Sequence, residues 1–111
     1  MSEQVRTGEP VHVCSVDDLP AVGAVVADIH GRRVAIARDS AGHVHAFDDT
    51  CTHANVSLAE GEVEGELIEC WLHGSQFDMR TGEPKQLPAT VPIAVHTVTL
   101  DGDAVYVTLA D

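Results

Sequence analysis

Basic residues are scarce in this 111-residue chain: 6 lysines and arginines stand against 18 aspartates and glutamates, a formal net charge of -12. Nucleic acid and anionic membrane surfaces would repel such a chain, so neither is an expected partner; a basic protein surface is the better expectation. No stretch approaches the roughly 20 apolar residues of a membrane span. The opening Met1-Ser2-Glu3-Gln4 lacks the positive region and apolar run of a secretory signal, and the expected location is the cytoplasm. Cysteine is scarce too. Three is an odd count in a chain without a secretory signal, so a disulfide framework is a poor explanation and metal or redox chemistry takes its place. No Ser-His-Asp or Cys-His nucleophile arrangement and no glycine-rich phosphate loop is visible, so the chain is expected to be no enzyme on its own.

Long helical patterns are also missing, since no segment sustains ten residues of 3.6-residue periodicity; Val56 to Glu60 offers at most one helical turn. Internal repeats and low-complexity tracts are absent. What is there reads as short strands: 11–14, 24–29, 33–38, 43–47, 94–100 and 104–108, with brief candidates at 67–70 and 76–79. His30-Gly31, Asp39-Ser40-Ala41-Gly42 and Asp101-Gly102-Asp103 supply hairpin turns between them. Hydrophobic residues at 44% are enough for a core despite the charge. The expectation is a single all-β domain over residues 1–111, an antiparallel sandwich or partly open barrel, with a loop-built lobe over about 48–92 inserted in it.

That lobe carries two loops with chemistry, Cys51-Thr52-His53 and Cys70-Trp71-Leu72-His73, separated by 16 residues. Each supplies one thiolate and one imidazole. A structural zinc site usually draws its cysteines from one knuckle and its histidines from another, although a zinc module that mediates binding stays open as a reading. A binuclear cluster explains the mixture more directly, because two facing loops can give both cysteines to one iron and both histidines to the other.

Here the chain resembles the Rieske family over most of its length, most strongly from Cys51 through Pro92. The resemblance implies a two-iron, two-sulfide cluster with Cys51 and Cys70 on the inner iron and His53 and His73 on the outer, reducible one. It implies near-surface imidazoles whose protonation couples to reduction, so that the potential falls at alkaline pH. It also places Gly74 where a backbone amide could face a cluster sulfur, Ser75 as a donor to a bridging sulfide, and Pro88 in a third loop, Leu87 to Pro92, covering the cluster. The tyrosine that high-potential relatives carry two residues after that serine is replaced by Phe77. With Asp48, Asp49, Glu60, Glu62, Glu64, Glu66 and Glu69 around the loops, the expected potential lies at the low end of the Rieske range of about -150 to about +300 mV.

Members in respiratory and photosynthetic complexes add a second cysteine to each loop and a membrane anchor; neither loop has that cysteine, and no anchor is expected. Cys14 lies far from both loops and is expected to be a buried structural thiol. Terminal oxygenases follow the cluster domain with a large iron-binding catalytic domain, and this chain is expected not to be one of them. The resemblance therefore implies a monomeric ferredoxin passing electrons from a flavin reductase to a ring-hydroxylating oxygenase, with a non-catalytic small subunit of nitrite-reductase type as the alternative. The phrases Cys51-Thr-His-Ala-Asn-Val-Ser-Leu and Glu69-Cys-Trp-Leu-His-Gly-Ser look like a bacterial subgroup encoded beside iron-sulfur assembly proteins. Trp71 stands where many ferredoxins of the family place proline, either packed on the lobe or as a docking anchor. The other histidines, His12, His30, His43, His45 and His96, lack ligand spacing and are expected to be structural or exposed.

Overall fold

A two-residue hairpin of type I′ needs both loop residues to adopt positive φ, a turn whose twist matches the right-handed twist of the strands. His30 and Gly31, at φ 54 and 84, do this between β2 (Gly23–Ile29) and β3 (Arg32–Arg38), and the Asp28 carboxylate accepts from the Gly31 N–H at 2.8 Å. A computed structural model of the chain describes residues 9–50, 56–72, 74–86 and 91–110. Among these, β1 (Val11–Ser15), β4 (Val44–Asp48), β9 (Val95–Asp101) and β10 (Ala104–Thr108) join the first hairpin in one antiparallel sheet, ordered β1-β10-β9-β4-β3-β2. Its margins, β1 and β2, curl toward each other, so the sheet is nearly closed. The four short strands β5 (Glu62–Glu64), β6 (Leu67–Glu69), β7 (Gln76–Asp78) and β8 (Pro84–Gln86) form a second antiparallel sheet in chain order. The all-β expectation holds.

Residues 33–38 form the expected strand, in which Val34, Ala35, Ile36 and Ala37 are all fully buried. The cause is a core on each face of β3. Val34 and Ile36 face the interior of the nearly closed sheet with Ile29, Ala46, Val105 and Val107. Ala35 and Ala37 face the lobe, whose core holds Phe47, Leu58, Ile68, Cys70, Phe77, Met79 and Ile93. Alanine on that face lets the lobe sit close against the sheet.

Strands β6 and β7 fall where the sequence placed them. Strands β5 and β8 were not anticipated, because Glu62-Val63-Glu64 and Pro84-Lys85-Gln86 are three-residue segments poor in β-formers, and their pairing with β6 and β7 supplies what propensity does not. The expected helical turn is a single 3-10 turn at Leu58–Glu60, and a second at Val16–Asp18 is capped reciprocally by Ser15 and Asp18. Cys14 is half-buried against the sheet interior, not enclosed. Burial and the neighbouring Asp18 push its thiol above the ordinary range.

Candidate metal centre

Loops can carry ligands only if their ends are tied to a rigid frame. The first loop is tied at its base, where Thr50 pairs with Ser57 across a β-bridge. Asp49 fastens its far side: its carbonyl accepts from the Leu58 N–H at 2.6 Å and its carboxylate from the Ala59 N–H at 2.9 Å, while Arg33 lies 3.4 Å away. The second loop is the β6–β7 connection. There the Cys70 N–H donates to Ser75 O at 2.6 Å and the Gly74 N–H to Cys70 O at 2.9 Å, a turn that Gly74 permits with φ at 77.

Cys70 is fully buried among Leu58, Ile68 and Phe77, and Ser75 is fully buried beside it in the turn. Trp71 and Leu72 between them are 50% and 42% exposed. Cys51, His53, His73 and Pro88 lie outside the described residues, so Cys70 is the one expected ligand whose surroundings are described. The residues present fit a sulfur-containing group held between the loops. A buried cysteine sits in a tied hairpin turn, and at the neck of the opposite loop the shielded Ser57 hydroxyl has no hydrogen-bond partner among the described residues.

The acidic surroundings divide in two. Asp48 is held by both Arg32 nitrogens, at 3.0 and 3.1 Å, and by His96 Nε2 at 2.9 Å; Asp49 is buried and braces the first loop; Glu66 pairs with Arg80 at 3.2 Å. These three were expected to add free negative charge near the ligands, and their pairing makes them framework instead. Glu60, Glu62, Glu64 and Glu69 make no ion pair among the described residues. Glu60, Glu62 and Glu69 line an open groove of about 330 Å³ with Gly61 and Trp71.

The remaining histidines follow their expectation. His96 is enclosed, its Nδ1 accepting from the Ala110 N–H at 2.9 Å, which leaves Nε2 as the donor to Asp48. His45 Nε2 bonds Asp39 at 2.8 Å, His12 lies against the Tyr106 ring, and His43 is largely exposed. Asp39, His43 and Glu66 bring potential ligand atoms within 4.8 Å of one another, but Asp39 is already engaged by His45 and by the Ala41 and His43 amides, and Glu66 by Arg80. That cluster is a joint between the two sheets, reinforced by the Ser40–Gly65 hydrogen bonds.

Burial pushes the Asp39 carboxyl up, yet the His45 bond and the two amides outweigh it and hold it below its ordinary value. Asp48 is lowered in the same way, with Arg32 and His96 overcoming burial, and Asp78 with Arg80 doing so.

Residues 9–99 match the family model described as the Rieske [2Fe-2S] domain. The chain belongs to this family. Its cofactor is accordingly the Rieske-type two-iron, two-sulfide cluster, and the nearly closed sheet with its appended four-stranded lobe is the Rieske fold. Among curated relatives, the chain is 40% identical over 97 residues to the ferredoxin component of biphenyl 2,3-dioxygenase from Rhodococcus jostii, covering 87% of this chain and 90% of that protein. Among solved structures it is similar to the ferredoxin of carbazole 1,9a-dioxygenase from Nocardioides aromaticivorans, with TM-score 0.84, 35% identity and coverage of 91% and 98%. A second is a chain in a complex of reduced oxygenase and oxidized ferredoxin in carbazole 1,9a-dioxygenase, with TM-score 0.82, 35% identity and coverage of 89% and 92%. This Rieske protein thus matches ferredoxin components nearly end to end. Among the described residues, no helix is long and apolar enough to cross a membrane.

Proposed function

We propose that this Rieske protein is a one-electron carrier, the ferredoxin component of a dioxygenase system, and not itself a catalyst. The observation that carries this reading is the near-complete coverage of dioxygenase ferredoxin components in both directions, by a chain that holds a C-x-H and a C-x-x-H motif. Cys51, His53, Cys70 and His73 are the proposed ligands, and Gly74, Ser75 and Pro88 the residues proposed to surround the cluster. When bound, the cluster accepts and gives up one electron, with imidazole keeping its potential above that of all-thiolate clusters. The chain's own part is to hold the ligand loops on a rigid frame, to keep Cys70 dry, and to present a docking surface beside it.

The proposed acceptor is a ring-hydroxylating oxygenase and the proposed donor a flavin reductase. We further propose a single domain over 1–111, a monomer, a cytoplasmic location, and membership of the subgroup encoded near iron-sulfur assembly proteins. Exposed Trp71, beside the unpaired carboxylates of its groove, is the proposed docking anchor for a basic patch.

The test is an EPR spectrum of anaerobically purified protein before and after dithionite, with iron and sulfide counted on the same sample. A silent oxidised state, a rhombic reduced signal and two irons with two sulfides per chain are expected. A colourless protein with one zinc would overturn the reading. A titration of the same sample should place the potential below about +100 mV, since Phe77 is buried in the core and carries no hydroxyl to donate.

A further inference from the structure

An imidazole with one accepting and one donating nitrogen is neutral; once protonated, both nitrogens donate. His96 on β9 is held in the neutral state by its partners. Its Nδ1 accepts from the Ala110 N–H and its Nε2 donates to Asp48 on β4, both at 2.9 Å. The bonds continue into a closed ring. Asp48 is gripped by Nε and Nη2 of Arg32 on β3, at 3.0 and 3.1 Å, and Nη1 of the same guanidinium donates to the Ala110 carbonyl at 3.2 Å. Both backbone groups of Ala110, two residues beyond β10, are thus held by side chains. Leu109 adds only a partly buried contact with the sheet interior.

A proton added to Nδ1 would set two donors face to face, so one contact of the ring must yield. The surrounding charges decide which. Burial pushes the Asp48 carboxyl up, but Arg32 and His96 outweigh it and hold it below its ordinary value, so Asp48 stays charged and attracts an imidazolium. Arg32 opposes that charge, and His45 and Arg80 line a groove of about 260 Å³ together with His96. The bond to Asp48 gains from the proton, whereas the Ala110 amide has no means of accepting it. The His96 side chain has no exposed surface, so the proton reaches Nδ1 only as the amide moves off it. We propose that His96 is a proton-operated latch, which clasps Ala110 to the sheet when neutral and releases it when protonated. The inference does not depend on the carrier reading.

The experiment follows the imidazole nitrogen resonances of the oxidised holoprotein from about pH 8 to about pH 5, the interval in which imidazoles exchange their proton. Solvent exchange of the Ala110 amide is measured on the same samples and corrected for the rate of an exposed amide at each pH. His96 should pass from the Nε2–H tautomer to the doubly protonated ring. Ala110 protection should fall with the same midpoint, by up to about tenfold per pH unit, the limit for release linked to a single proton. His96→Asn, which keeps an acceptor oxygen and takes up no proton, should hold Ala110 with a protection that does not change across the range. A protonated His96 with Ala110 still protected overturns the proposal, as does a ring that stays neutral throughout. An asparagine variant that loses protection with the wild-type profile also overturns it, since the release would then belong to another group. Should that variant fail to fold, the two wild-type midpoints decide, and their separation counts against the latch.

Discussion

At Gly61 a side chain is excluded by contact and not by dihedral angle. Its φ of -88 is open to any residue, but a Cβ there would run into the backbone carbonyl oxygen of Glu69 on the neighbouring strand. Backbone cannot swing aside as a side-chain tip can. Gly61→Ala is expected to destabilise the protein by about 1–3 kcal/mol, the usual cost of overpacking, measured by urea unfolding of the holoprotein. Trp71 is the opposite case, half-exposed with room around it. Trp71→Ala should change stability by no more than about 0.5 kcal/mol and leave the potential unmoved. It should raise the KM for the protein in steady-state reduction of the proposed oxygenase acceptor, and unchanged kinetics would show that Trp71 is not the anchor.

At the scale of elements, the β2–β3 hairpin asks His30 to adopt φ 54, a conformation that asparagine tolerates better than other non-glycine residues. His30→Asn is expected to stabilise the protein by about 0.5 kcal/mol, seen as a higher urea midpoint with an unchanged slope. The turn itself was legible from His30-Gly31, because φ > 0 leaves a glycine signature in the sequence. Strands β5 and β8 leave none. Each is three residues long, and its conformation is imposed by a partner strand, not by its own residues. The four consecutive buried residues of β3 are not legible in the sequence for a related reason, since periodicity reports one covered face and cannot show that the lobe covers the other.

Across the whole molecule, paired aspartates tie the pieces together. Asp39 lies at the joint between the two sheets, Asp48 links β4 to Arg32 of β3 and His96 of β9, and Asp78 anchors Arg80 in the lobe. All three are held below their ordinary value of 3.8. A lowered carboxylate contributes stability that is complete above the unfolded value and disappears as pH falls through the folded one. These three groups should therefore add no slope between pH 5 and 7 and a falling limb below about pH 4. Urea midpoints across that range check this, and Asp39→Asn should flatten the limb; an equally steep limb in the variant would exclude Asp39 as a contributor.

The proposed ligands are read from the sequence alone because donor chemistry and spacing are local: C-x-H and C-x-x-H put a thiolate and an imidazole on each loop whatever the rest of the chain does. Turn positions and the outer strands were legible for the same reason. What only the tertiary structure decided are relations between distant residues. Asp48 and Asp49, which read as free acidic surface in the sequence, are bound to Arg32 and Arg33 of a neighbouring strand. Ser57, one serine among several, becomes distinctive only because the fold shields its hydroxyl without an acceptor among the described residues. Charge pairing and burial depend on which strands lie side by side, and no short stretch of sequence carries that information.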